Sequence, residues 1–204
     1  MKRVLSLAAV FVLSAAYVLG QPQAKKPIVA EGGSPDDRAS ARVLYWNPNI
    51  DGAAGQLAID YGRPVWNKVY EDRVKFDGMT KGKVWRLGSN FWTTLDTDLP
   101  LNISGKNVPP GHYYLGLERS ADGAQWSLAY IKPTAVMREH IDAFDIRKAK
   151  VDFTTPMSVD KPGTSAEKLT ITLSYPKEDI RNVTLKIAWG NLALSAPIKV
   201  TVAE

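Results

Sequence analysis

The sequence contains no cysteine. Disulfides, thiolate metal sites, cysteine nucleophiles and a lipidated cysteine anchor are therefore excluded. There are only two histidines, His112 and His140, with neither His-x-x-x-His nor HExxH spacing, so no zinc motif is present. No dense lysine or arginine cluster accompanies the formal net charge of +5. That charge falls to +3 if Lys2 and Arg3 are removed with an N-terminal signal, and no nucleic-acid partner is expected. Helical spacers between the strand-like segments are missing, which argues against a parallel α/β fold.

The one long apolar run is N-terminal. Lys2 and Arg3 precede a nearly unbroken apolar stretch from Val4 to Leu19, and Gly20 is a small residue suited to cleavage. This is the pattern of a secretory signal peptide over residues 1–20. The run is shorter than the roughly 20 residues a spanning helix needs. The expectation is an exported protein, periplasmic or extracellular, with no membrane span after signal cleavage. Residues 21–42, rich in Pro, Gly, Ala and charge, read as a flexible leader with little to bury. A single domain is expected over residues 43–204.

Within that domain the apolar residues alternate. Leu57, Ile59 and Tyr61 show the pattern, as do Trp126, Leu128 and Tyr130, and Val183, Leu185, Ile187 and Trp189. Period two gives each strand one face for a core and one for water. The breaks SGKN, PPG, ADG, KPG and WGN supply turn residues. The fold class is all-β, an antiparallel, jelly-roll-like β-sandwich. One short helix is expected near residues 134–145, where Val136, Met137, His140, Ile141 and Phe144 fall at helical spacing.

Residues 84–95, VWRLGSNFWTTL, read as two strands around a corner at Gly88, Ser89 and Asn90, with at least one tryptophan in the core. Together with DYGRP at residues 60–64 and ISGKNVPPGHYYL at residues 103–115, the stretch resembles an exported, mostly bacterial family catalogued as domain of unknown function 2911. The matching positions include Tyr61, Arg63, Pro64, Trp85, Arg86, Gly88, Asn90, Gly105, Lys106, Pro110, Gly111 and Tyr113. The family's Lys-Gly-Arg element is replaced by VWNKVYEDR, and Phe91 stands where an acid is usual. The resemblance implies a β-rich exported domain and carries no catalytic residues across.

Tyr61, Arg63, Trp66, Arg86 and Asn90 are the candidate ligand-binding residues. An arginine fork can grip a carboxylate or phosphate, although it can equally bridge loops or pair with Asp60 or Asp96. Asn90 can offer its amide to a ligand or occupy a left-handed turn position. Trp66, in the polar context PVWNK, is the best candidate for an exposed ring that stacks on a sugar or anchors a protein. No catalytic residues, metal ligands or cofactors are assigned. EHIDAFD does not place its acids and histidine on one helix face, and DTDLPLN offers two acids, too few for calcium. The expected role is a non-catalytic binding module for carbohydrate or protein in the cell envelope. The competing expectation is a hydrolase of envelope or extracellular polymers.

Overall fold

The computed structural model describes residues 26–33, 36–161 and 163–203. The chain divides into two units, Met1–Pro35 and Asp36–Glu204. The expected signal peptide lies outside the described residues. Residues 26–33, in the first unit, carry no helix or strand.

Among its described residues the second unit contains twelve strands. These are β1 (Arg38–Asn47), β2 (Gly52–Gly62), β3 (Lys83–Arg86), β4 (Thr93–Thr97), β5 (Leu101–Ile103) and β6 (Lys106–Val108). They continue with β7 (Gly111–Arg119), β8 (Trp126–Ile131), β9 (Phe153–Val159), β10 (Ala166–Ser174), β11 (Asn182–Gly190) and β12 (Leu192–Val200). Two short helices, α1 (Arg73–Thr80) and α2 (Pro133–Glu139), and two 3-10 turns at Lys68–Glu71 and Ala143–Lys148 complete it. No described helix is long and apolar enough to cross a membrane.

The fold is all-β, and its strand pairs are antiparallel. One hydrogen-bonded path runs β1-β2-β4-β7-β8-β9-β12-β11-β10. Its layers join at β9, whose first part pairs with β8 while Ser158 and Val159 pair with β12. Inward residues of both layers share one core, among them Leu57, Ile59, Leu95 and Leu115 facing Ile171, Leu185, Ile187 and Ile198. The alternation in the sequence is the alternation of burial: Val183, Leu185 and Ile187 are buried between exposed Thr184 and Lys186. Ser104 and Gly105, both at positive φ, turn the β5–β6 hairpin, the conformation a tight two-residue hairpin requires.

The layers close along the edge of β10. Tyr61 is 3% exposed, and its hydroxyl accepts from the Ile171 N–H at 2.9 Å and donates to the Ile171 carbonyl at 3.2 Å. The chain after β2 continues along the same edge. Leu169 N–H donates to the Pro64 carbonyl at 3.0 Å and Trp66 N–H to the Glu167 carbonyl at 2.7 Å. An edge strand with open N–H and C=O groups invites foreign pairing, and here β2 and its extension occupy it.

Two boundaries differ from the sequence reading. β1 begins at Arg38, so residues 38–42, read as leader, pair with β2. Their inward residues are Ala39 and Ala41, which pack against the core yet are too small to stand out as an apolar stripe. The helix expected over residues 134–145 ends at Glu139. His140 adopts the left-handed conformation (φ 53°, ψ 42°), and Ile141 N–H turns back to the Val136 carbonyl at 3.0 Å, a helix-stopping closure.

Tyr61→Phe leaves both polar groups of Ile171 without their hydroxyl partner. The expected loss of stability is about 1–3 kcal/mol, read from urea unfolding. Burial pushes the Tyr130 phenol up from 10.0 to about 12. The unfolded chain releases that proton more readily, so the contribution is complete below pH 10 and is lost as pH rises towards about 12. Tyr130→Phe is expected to flatten this part of the alkaline fall in urea midpoint.

Candidate functional site

An open groove of about 660 Å³ lies where four segments meet: β3 with its following loop, the β2–α1 connection, the 3-10 turn at Ala143–Lys148, and the β11–β12 hairpin. Tyr70, Trp85, Trp189 and Phe144 supply aromatic surface. Asn67, Arg86, Ser89, Arg147 and Lys148 supply donors, and Asp145 is the one acidic residue among its described lining.

Each wall has a local cause. β3 and β4 are collinear, both paired to the same side of β7: Arg86 lies opposite Gly116 and Thr93 opposite Leu115. Residues 87–92 therefore bulge out of one interrupted strand. Gly88 sits at φ 116°, where a Cβ would come within 2.9 Å of the Gly62 carbonyl oxygen, so glycine permits this close crossing. Trp85 and buried Leu87 face the main core, while Val84 packs in a second cluster with Ile131, Val136 and Ile146. Trp92 stacks on Tyr114 there, with ring centroids 4.7 Å apart. The 3-10 turn forms the opposite wall. Asp142 Oδ1 accepts from Phe144 N–H at 2.7 Å, restarting the chain after α2 and presenting Phe144, 79% exposed.

Beneath the rim the rings form a continuous cluster. Trp66 meets Tyr70 and Trp189 edge-on at 5.2 and 5.1 Å, and Phe76 meets Trp85 at 6.1 Å. Trp189 Nε1 donates to the Pro64 carbonyl at 2.8 Å, and Trp85 Nε1 to the Met79 carbonyl at 2.9 Å. Arg119 fixes α1 to β7 behind this cluster. It donates to Asp77 Oδ1 at 2.7 Å and Thr80 Oγ1 at 2.8 Å. Its guanidinium lies over Phe76 and Trp126. Hydrogen bonds from Lys81 and Arg119 hold the Asp77 carboxyl below its ordinary range.

The five candidate residues part company. Arg86 lines the groove, with its guanidinium 5.5 Å from the Phe144 ring centroid and Nη1 donating to the Asn90 carbonyl at 3.2 Å. Tyr61 is buried on Ile171, where a ligand does not reach it. Arg63 faces the β10 edge instead, with Nε 3.4 Å from the Leu169 carbonyl and Nη1 3.9 Å from Asp37. Trp66 is half-buried in the ring cluster rather than the exposed stacking ring; a nearby polar sequence does not prevent its indole from turning inward. Its buried Nε1 has no hydrogen-bond partner. Asn90 is at φ 60° and its Nδ2 donates to Asp36 Oδ2 at 2.8 Å, a turn-fixing role.

Neither acid proposed to pair with these arginines does so. Asp60 accepts from Arg38 Nε at 2.8 Å, and Asp96 pairs with His112. Among the described residues no group of three His, Asp or Glu is placed to hold a metal. Phe144, Arg147 and Lys148 were missed as site residues. Helical spacing placed Phe144 inside the expected helix, and the Asp142 N-cap that restarts the chain before it is a single side chain.

A family model described as "Protein of unknown function (DUF2911)" matches residues 47–198. The chain belongs to that family. No curated protein and no solved structure matches it. The DUF2911 match spans every groove-lining residue, from Pro64 to Trp189. In this family member the motif around Trp85 and Arg86 thus has two roles: its tryptophan packs inward and its arginine faces the groove.

Trp66 lies against Gly190, where an added Cβ would sit 1.9 Å from the indole ring and φ is +54°. Gly190→Ala is expected to lower stability by about 2 kcal/mol or more, from left-handed strain and overpacking. Urea unfolding reads the loss, and tryptophan fluorescence reads displacement of the ring cluster.

Proposed function

We propose that this protein is an exported, non-catalytic binding module whose groove takes a carbohydrate. The observation carrying this reading is the exposed Phe144 ring beside Arg86 at the mouth of an open, aromatic-walled groove. An aromatic face packs against the apolar face of a sugar ring, while guanidinium, amide and hydroxyl donors meet its oxygens. Asn67 and Ser89 place such donors along the same groove. The N-terminal signal pattern supports export, which would put the groove in contact with envelope or extracellular glycans.

The competing reading, a polymer hydrolase, finds less support. Glycoside hydrolysis ordinarily needs two carboxylates flanking the scissile bond. Asp145 is alone among the described lining residues and is held by Lys148 Nζ at 2.7 Å. The His112–Asp96 pair lies outside the groove lining.

A glycan array followed by titration calorimetry tests the proposal. Saturable binding to a soluble oligosaccharide is expected, weakened about tenfold by Phe144→Ala. That variant should retain its melting temperature, because the ring is exposed. Failure to bind any glycan, with selective capture of a protein instead, would replace the carbohydrate by a protein partner.

A further inference from the structure

The charges in the groove are unevenly paired. Lys148 is tied to Asp145 at 2.7 Å. Arg86 and Arg147 have no carboxylate partner among the described residues. Arg86 is half-buried between Phe144 and the Asn90 carbonyl, so its fork is held rather than free to sweep through solvent. Elsewhere the partly buried arginines are matched: Arg38 to Asp60 and Arg119 to Asp77. Three cations against one acid leave the groove with an excess of two positive charges.

The groove also has an apolar floor. A chamber of about 30 Å³ shares Pro64, Trp85, Arg86, Gly88 and Trp189 with it. The remaining walls come from core residues, including Leu117, Ile187 and Leu192. This volume is about that of one water or methyl group. The walls offer few hydrogen-bond partners, so water there would lack the two to four contacts it normally makes. A methyl group is the better occupant.

We propose that the groove's ligand is an acidic N-acyl sugar. Its carboxylate is gripped by Arg86 and Arg147, its ring lies against Phe144, and its acyl methyl enters the chamber beside Trp85. This rests on the carbohydrate reading above. Guanidinium–carboxylate contacts are charge-assisted and can be bidentate, and burying one methyl is worth a few-fold in affinity.

The test compares four probes by calorimetry or ligand-observed NMR on the purified protein at low salt. N-acetylmuramic acid carries both groups; N-acetylglucosamine is the same N-acyl ring without the lactyl ether that bears the carboxylate. Glucuronic acid carries a carboxylate without the acyl group, and glucose carries neither. N-acetylmuramic acid is expected to bind at least about tenfold tighter than N-acetylglucosamine, and about threefold or more tighter than glucuronic acid. The first ratio should shrink with added salt. Arg147→Gln, at an exposed turn, should reduce N-acetylmuramic acid affinity several-fold more than it reduces N-acetylglucosamine affinity. Arg86→Gln should reduce N-acetylmuramic acid affinity more strongly still, and by a larger factor than it reduces N-acetylglucosamine affinity. Equal binding of N-acetylmuramic acid and N-acetylglucosamine would overturn the acidic assignment and leave the carbohydrate reading standing. Glucuronic acid binding as tightly as N-acetylmuramic acid would overturn the acyl assignment. No binding by any probe or glycan would overturn both readings together.

Discussion

The Trp66 ring lies directly on Gly190, and the walls of the groove depend on that contact. Only a residue without a Cβ lets the indole lie on the β11–β12 hairpin. That placement fixes the segment after β2 along the edge of β10 and brings Trp66 against Tyr70 and Trp189. Trp189 in turn donates to the Pro64 carbonyl. Two groove walls, from opposite layers, are thus set by one hairpin glycine and the ring packed over it.

Tyr61 and Arg119 extend the same logic. Tyr61 satisfies both polar groups of an edge residue with one hydroxyl, which joins the layers without another strand. Arg119 draws α1 onto β7 through Asp77 and Thr80 while its guanidinium covers Phe76 and Trp126. Both polar side chains are used to complete packing. Arg86 differs because its contacts are one carbonyl and one ring face, leaving its charge open to the groove.

The interrupted strand β3–β4 explains how a short motif can serve the core and the groove at once. Its inward residues, Trp85 and Leu87, belong to the core, and the bulge that follows carries Gly88 and Ser89 to the groove. Phe144 reaches the opposite wall because α2 stops at His140 and the chain restarts at Asp142.

The strands were legible because period-two burial depends on neighbours in sequence: Leu57, Ile59 and Tyr61, or Val183, Leu185 and Ile187, reveal their inward face without knowledge of any partner. Turn residues and the family motifs were legible for the same local reason. Burial of Trp66 was not, since it depends on a glycine 124 positions away meeting its ring. The start of β1 was hidden because its inward residues, Ala39 and Ala41, are too small to mark an apolar face. The groove itself was decided by tertiary structure alone. Its walls come from residues 64–70, 84–89, 144–148 and 189, and the choice of which arginines find acids within the chain, and which remain open to a ligand, is made only when those segments meet.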